Sequence, residues 1–347
     1  MASKLLVFIG AGASYDCADS EVASLESNYQ PPLVKELFAA RGTFNDILKK
    51  YPRVEALSDE IRTRLVRDKI SLEALLKEFQ AETDLGLKKQ YWEIPYYLQE
   101  IIGTVSTKYV ITGATKFVSL VKTIIKSAKF EKVMLATTNY DTFLEQALEK
   151  ADYTFFNLPS YIEQSRKISL VKLHGSVNWG KEIKNEITMS TSVDGTLALL
   201  ATDLVVDTQI HLLNGFSSQI DGGMYVGSKL HYYPALSIPV EGKSDFNCHT
   251  DHLQVFESFI TDCTDFLFIG FSGKDQHILE KFQPIDNIEK IKFVNGSEKS
   301  ARATLEFFRA YNSKFPVVGQ VDEAGHFYPS GFKEFVKTGG LEKFINN

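Results

Sequence analysis

The fold of this chain is decided by Leu5-Leu6-Val7-Phe8-Ile9-Gly10-Ala11-Gly12-Ala13-Ser14, a short apolar run that leads directly into a glycine-rich turn. The run has the length and composition of a strand buried in a parallel sheet. Gly10 and Gly12 allow the backbone to turn sharply and bring its N–H groups close to an anionic ligand. A helix beginning here would add the positive end of its dipole. The turn therefore predicts either an anion-binding loop or a tight strand-to-helix connection without a ligand.

Four more apolar segments share this design, because each ends in small or polar residues. The sequence predicts strands over residues 132–137, 168–173, 266–269 and 291–294. The carboxyl ends of parallel strands meet at one edge of a sheet, where open α/β sheets bind their ligands. We therefore expect a single pocket, lined by residues 10–14, 138–141, 174–175, 270–275 and 295–297.

The long interval between the first two predicted strands is helical in pattern. Leu72, Leu75, Leu76 and Phe79 have the i, i+3, i+4, i+7 spacing of one apolar helix face, which indicates helix packing. The sequence thus predicts an α/β fold, a Rossmann-like doubly wound parallel sheet with a large helical insertion after the first strand and a smaller irregular insertion. The predicted core comprises residues 1–30, 131–180 and 250–322, with a helical module at 31–130, a small insertion over the site at 181–249, and a C-terminal helix or tail at 323–347.

Composition narrows the class of protein. The chain has 347 residues and a net charge of −6, which suggests no basic surface for direct nucleic-acid binding. No apolar run approaches the length of a membrane span, and the first strand begins too early for a signal peptide. Cys17, Cys248 and Cys263 form no CxxC pair, so neither a disulfide framework nor a zinc site is predicted. We expect a cytoplasmic protein with reduced cysteines and no metal.

Two of the predicted strand ends carry residue types suited to catalysis. His174 ends the third strand before a glycine, and an imidazole can act as a general base near neutral pH. Its alternative role is that of a structural, hydrogen-bonded histidine. Thr138 and Asn139 follow the second strand, where a ligand would bind, although either residue can instead cap the next helix.

Taken together, the motifs resemble a known family. Gly-Ala-Gly-Ala-Ser, Thr-Asn-Tyr-Asp, Lys-Leu-His-Gly, Gly-Phe-Ser-Gly-Lys-Asp and a last strand ending in Asn follow the order of the sirtuin NAD-binding fold, over residues 4–297. The set resembles the bacterial sirtuin-like NAD hydrolases of antiphage defence more closely than the deacylating sirtuins. The resemblance implies catalytic roles for Asn139 near the nicotinamide ribose, for Asp141 at the carboxamide and for His174. It implies NAD-binding roles for Gly10, Ala11, Gly12, Ser14, Thr138, Gly270, Ser272 and Asn295.

The departures from deacylating sirtuins bear on the reaction. Those enzymes carry two CxxC pairs for zinc and a Phe and Arg motif after the glycine turn; here both are missing, and Tyr15 begins a longer, acidic segment. The expected activity is therefore hydrolysis of NAD, as substrate, to nicotinamide and ADP-ribose. The alternatives are an NAD- or ADP-ribose-binding sensor without turnover, a protein deacylase, and a dehydrogenase. The last is disfavoured because Tyr15 replaces the third glycine of the dinucleotide fingerprint.

The resemblance also implies a biological setting. Enzymes of the defence branch deplete cellular NAD when a partner or phage component activates them, so we expect gating by assembly or by a separately encoded protein. Partners in that branch include a HerA-type ring ATPase, short Argonautes and nucleotide-sensing proteins, and the sequence does not choose among them. We expect a homo-oligomer, with the helical module and the C-terminal segment as candidate assembly surfaces.

Overall fold

The computed structural model describes residues 3–18, 29–109, 115–183, 206–213, 225–226, 229–230, 232–240, 246–317 and 325–346. Most of the predicted insertion at 181–249 lies outside these ranges, as do residues 197–200, a short run in this insertion whose sequence is β-like. Most of the acidic segment after Tyr15 also lies outside them. The same is true of residues 318–319, in the short segment 317–319 that the sequence predicts to close the core domain. Every residue predicted to form the site lies within the described ranges.

The chain begins with strand β1 (Lys4–Ile9) and the short helix α1 (Ala11–Tyr15). The helical module contains α2 (Gly42–Leu48), α3 (Pro52–Arg67), α4 (Leu72–Gln80), α5 (Leu85–Lys108) and α6 (Lys116–Lys126). Next come β2 (Lys132–Thr137), α7 (Phe143–Glu149), β3 (Ile168–Lys172), β4 (Gly175–Ile183), β5 (Val206–Leu212), β6 (Tyr225–Val226), β7 (Lys229–Leu230) and β8 (Tyr232–Leu236). The chain continues with α8 (Thr250–Thr261), β9 (Asp265–Ile269), α9 (Gln276–Lys281), β10 (Lys290–Val294), α10 (Glu298–Tyr311), β11 (Phe327–Tyr328), α11 (Gly331–Lys337) and α12 (Gly340–Asn346).

Six strands form one parallel sheet in the order β11-β10-β9-β1-β2-β3. Ile9 at the end of β1 lies level with Thr137 of β2 and with Ile269 of β9. This order is that of a doubly wound Rossmann-like sheet, in which the direction of winding reverses between β1 and β9. The predicted fold class is thereby confirmed. The reversal places a ligand crevice outside the carboxyl ends of these two strands.

Both faces of the sheet are covered, which explains why its inner strands are continuously apolar. Successive side chains of β1 point to opposite faces. Leu5, Val7 and Ile9 pack in the cluster that includes the helical module, whereas Leu6 and Phe8 pack toward α8, α9 and α10. All five are fully buried, and burying each such side chain contributes about 1.5–3 kcal/mol. The first strand is therefore anchored from both sides.

Caps and apolar stripes account for the helices of the module. Ser71 caps α4 and Asp84 caps α5, each accepting a backbone N–H with its side-chain oxygen. The stripe predicted on α4 is buried, and α5 packs against it. Helix α5 also contacts β4, because the Gln99 amide donates to the carbonyl of Val177 over 2.8 Å.

A smaller antiparallel sheet has the order β5-β4-β8, and β6 pairs with β7. Toward the end of the chain, β11 adds the sixth strand to the main sheet, and α11 and α12 pack against α6. None of the helices in the described ranges combines the length and apolar character that a membrane crossing requires.

Candidate functional site

The predicted site residues lie along one edge of the main sheet, the edge at which its strands end. Since β1, β2, β3, β9 and β10 are parallel neighbours, the turns that follow them are close together. The ends of β1, β2 and β9 lie at one level. Gly10, Thr138 and Gly270 are the residues that directly follow these three ends. The crevice between β1 and β9 is at the centre of this edge.

The glycine turn after β1 packs against the turn after β9. The N–H groups of Gly10 and Gly12 donate to the carbonyls of Ile269 and Gly270 over 2.9 and 3.0 Å. A Cβ at Gly10 would lie 2.6 Å from the Gly270 carbonyl oxygen. Gly270 itself has φ +62°, and its Cβ would lie 2.1 Å from the backbone nitrogen of Ala13. Gly10 and Gly270 must be glycines because the two backbones are in direct contact here. The N–H groups of Gly10 and Gly12, which the sequence suggested as anion donors, instead hydrogen-bond the two turns to each other.

Gly270→Ala is expected to lower the free energy of unfolding by about 3 kcal/mol or more, since it combines a left-handed backbone with a clash against main chain. Gly296→Ala is the matched control, because it lies in the turn after the next strand and a Cβ there would meet nothing within 4 Å. Urea denaturation followed by circular dichroism measures both variants. Equal midpoints for the two would contradict the packing described for Gly270.

Asn139 connects the end of β2 to the glycine turn. Its side-chain Nδ2 donates to the Gly10 carbonyl over 3.0 Å and to the Ser14 hydroxyl over 2.8 Å. Its backbone N–H donates to the Thr137 hydroxyl over 3.0 Å. The side chain is buried, and Oδ1 has no hydrogen-bond partner among the described residues. A buried acceptor without a partner costs free energy, so this position favours a ligand that donates a hydrogen bond.

Asp141 lies on the other side of the Ser14 hydroxyl, which hydrogen-bonds to its carboxylate. The carboxylate also accepts the N–H of Phe143 over 3.3 Å. Burial raises the pKa of Asp141 above its ordinary value, even though the Lys172 charge and the Ser14 hydroxyl act to lower it. Asn139, Ser14 and Asp141 therefore form one connected polar group between β1 and β2.

A buried ion pair holds the backbone of this group. Lys172, the last residue of β3, is fully buried, and its ammonium lies 2.9 Å from the Glu145 carboxylate on α7. The same ammonium donates to the carbonyl of Asp141, and the Tyr161 hydroxyl donates to Glu145 over 3.4 Å. Burial raises the pKa of Glu145, against the effect of the Lys172 charge. Lys172 thereby fixes the segment that carries Asn139 and Asp141.

His174 faces a second histidine. The Nε2 atoms of His174 and His277 lie 3.0 Å apart, and both side chains are buried. The ring centroids are 5.1 Å apart with an interplanar angle of 23°. Two ring nitrogens at this distance cannot both direct a proton at each other, so at most one of them is the donor. Asp275 lies in the same turn as His277, and one ligand atom from each of the three residues lies within 4.8 Å of the others.

The remaining predicted residues lie at the ends of β2, β9 and β10. Asn295 is buried; its Nδ2 donates to the Phe271 carbonyl over 3.0 Å, and its Oδ1 has no partner among the described residues. Ser272 is exposed. Thr138 is half-buried, and its N–H donates to the Ile9 carbonyl over 3.3 Å. The structure therefore brings all the predicted residues to one edge, while their roles toward a ligand stay predictions.

Two residues of this region, Lys172 and His277, were not among those predicted, and Asp275 was predicted only as the end of the 270–275 turn, without a role of its own. Lys172 has a signal in the sequence, because a lysine at the end of an apolar strand is rarely buried without a partner. His277 has none, since a histidine in the first turn of a helix is common, and the position of Asp275 at a strand end did not indicate that it lies beside His174. Only the tertiary fold brings them to His174.

Comparison with known proteins places one family match in this part of the chain. A family model described as "SIR2-like domain" matches residues 133–200. The matched segment begins in β2 and includes Asn139, Asp141 and His174. No curated protein matches the chain.

Several solved Sir2 structures are similar to the chain at low identity. A mutant of Sir2 homologues in complex with 2′-O-acetyl ADP ribose is 11% identical, covers 99% of this chain and 92% of its own, and has a TM-score of 0.45. A mutant Sir2 homologue with ADP ribose is 12% identical, with 99% and 92% covered and a TM-score of 0.43. A Sir2 homologue with NAD is 12% identical, with 99% and 91% covered and a TM-score of 0.40.

Proposed function

We propose that the chain binds NAD along the carboxyl edge of the main sheet and hydrolyses its nicotinamide glycosidic bond, giving nicotinamide and ADP-ribose. The observation that carries this proposal is Asn139, whose buried Oδ1 lacks a partner among the described residues while Gly10 and Ser14 hold its Nδ2. A ribose hydroxyl is a donor of the kind that this oxygen can accept. The SIR2-like match, which includes Asn139, supports the same assignment.

In the proposed reaction the bond between ribose C1′ and the nicotinamide nitrogen breaks, and a water oxygen bonds to C1′. The bond breaks through an oxocarbenium-like state. The electron pair of the broken bond stays on the nicotinamide nitrogen and neutralises its positive charge. The leaving group therefore needs no general acid. The attacking water loses one proton, and His174 accepts it as general base. Asn139 holds a ribose hydroxyl and the water, while Asp141 orients the carboxamide of nicotinamide.

The rest of the nucleotide would extend along the crevice between β1 and β9. We assign the pyrophosphate to the glycine turn at residues 10–14, including Ala11, Gly12 and Ser14, with Thr138 beside it. The N–H groups of Gly10 and Gly12 are not assigned as its donors, because they bond to carbonyls that follow β9. The turn at Gly270 and Ser272 and the end of β10 would hold the adenosine half. Oδ1 of Asn295 supports this assignment, because it is a second buried acceptor with no partner among the described residues, and a ribose hydroxyl could donate to it.

His174→Ala is expected to lower the rate of nicotinamide release by at least about 100-fold, the typical contribution of a general base. His249→Ala is the control, since His249 is a partly exposed histidine at the start of α8, outside the proposed site. Chromatographic measurement of nicotinamide at saturating NAD gives both rates. A near-wild-type rate for His174→Ala would exclude the base role.

The proposed biological role is NAD depletion in bacterial antiphage defence, gated by assembly or by a separately encoded partner. The similarity of the motifs to that branch supports it. The test uses the purified chain with NAD, alone and with the product of the neighbouring gene. Nicotinamide release that depends on the partner is expected. Bound but uncleaved NAD under both conditions would instead favour a sensor, and release that depends on an acylated peptide would favour a deacylase.

A further inference from the structure

His174, Asp275 and His277 bring three potential metal ligands together from two separate parts of the chain. His174 follows β3, whereas Asp275 and His277 lie at the start of α9. Both imidazoles are buried, Asp275 is half-buried, and one ligand atom from each lies within 4.8 Å of the other two. The proposed reaction uses only His174, so two of the three have no role in it.

The distances and the donor types fit one small cation. An ion with bonds of about 2.0–2.1 Å to two ring nitrogens can have those nitrogens about 3 Å apart; here the two Nε2 atoms are 3.0 Å apart. Two imidazoles and one carboxylate form a three-ligand set that Zn²⁺ accepts, with a fourth position open. Imidazole ligands favour Zn²⁺ and its neighbours over Mg²⁺ or Ca²⁺, which prefer oxygen.

We propose that His174, His277 and Asp275 bind one divalent transition-metal ion of the Zn²⁺ class, and that this ion inhibits the site. The ion occupies the Nε2 lone pair of His174, so this nitrogen can no longer accept a proton. The inhibition rests on the proposed hydrolysis, whereas the binding does not. The ion is a regulator here and takes no part in the cleavage of NAD.

Binding is tested first, on metal-free protein without a polyhistidine tag, by titration with Co²⁺ and competition with Zn²⁺. The expected result is one Co²⁺ per chain, with the visible absorption of a four- or five-coordinate ion that Zn²⁺ displaces. His277→Ala and the isosteric Asp275→Asn should each weaken binding by at least about 100-fold, more than the loss of an outer-shell partner costs. Thermal melting checks that each variant is folded.

The matched control for binding is His249→Ala. His249 and Asp251 place the same two residue types two positions apart at the start of α8, but they are more exposed, with side-chain exposures of 30% and 57%. This variant should bind Co²⁺ as the wild type does. Absence of the absorption bands in the wild type, or their persistence in both His277→Ala and Asp275→Asn, overturns the proposal.

Inhibition is tested second, by the ratio of nicotinamide release with and without Zn²⁺ for each variant. Zn²⁺ should inhibit the wild type and His249→Ala, and a chelator should restore the rate. In Asp275→Asn, which should bind Zn²⁺ more weakly, the rates with and without Zn²⁺ should become more similar, so their ratio should move toward one. Metal binding without any nicotinamide release from metal-free protein would contradict the proposed hydrolysis and leave the metal site standing. Release that Zn²⁺ does not affect, despite binding, overturns the inhibitory role.

Discussion

Asn139→Ala is expected to reduce nicotinamide release by about 1,000-fold or more, the upper range for losing a preorganised group that stabilises a transition state. The substitution removes the buried Oδ1 proposed to hold the ribose and the water. It also frees the Ser14 hydroxyl and the Gly10 carbonyl from the Nδ2 that holds them. Both the substrate contact and the geometry around Asp141 are therefore lost. Nicotinamide release under saturating NAD measures the effect.

The control for this experiment is Asn287→Ala, an exposed asparagine whose amide bonds only to Glu289 among the described residues. It should release nicotinamide at the wild-type rate. The fold of Asn139→Ala is checked by its melting temperature, which should fall by a few degrees, consistent with about 1 kcal/mol for the lost hydrogen bonds. A folded Asn139→Ala protein with substantial activity would contradict the catalytic assignment.

Lys172→Met is expected to lower the free energy of unfolding by about 3–5 kcal/mol, the usual cost of removing one partner from a buried ion pair. The remaining Glu145 carboxylate would be buried without its counter-charge, and the Asp141 carbonyl would lose a donor. Urea denaturation measures the change. Lys49→Ala is the control, because its pair with Asp46 is exposed and contributes about 0–1 kcal/mol.

A second variant separates the lost charge balance from lost packing. Lys172→Met combined with Glu145→Leu replaces the pair by apolar side chains of similar size, and it should regain most of the lost stability. A double variant that is stable but releases nicotinamide more slowly than the wild type would fit the role of Lys172 in holding the segment that carries Asn139. If the double variant is as unstable as Lys172→Met alone, the uncompensated charge is not the cause.

The sheet and its ligand-binding edge could be predicted because their signals are local. A strand buried on both faces is a continuous apolar run, so the small or polar residue that follows it is easily recognised. Gly10 after β1 and Asn295 after β10 are examples. Parallel strands end at one edge, so the positions along the sequence were sufficient to group these residues. The strand order required the structure, since nothing local to β1 indicates that it lies between β2 and β9.

The partners of the site residues could not be predicted, because they depend on tertiary contacts. The sequence offered two roles for His174 but not His277 as its neighbour, more than a hundred positions later. It offered Gly10 and Gly12 as anion donors, whereas in the structure their N–H groups bond to carbonyls that follow β9. Such contacts depend on how two turns from distant parts of the chain approach each other, and the hydrophobic periodicity of the sequence does not predict that approach.

The central position of β1 has a consequence for how the chain folds. Leu5 is paired with Val133 on one side and with Asp265 on the other, and the whole helical module separates the first of these pairs. Pairings so distant in sequence slow folding, because long loops must close before the contacts form. During synthesis the first strand leaves the ribosome long before either neighbour exists. Helices α2 to α5 of the helical module also contact one another, so these contacts can form meanwhile. Strand β1 is then the strand most exposed to misassociation until β9 has been made.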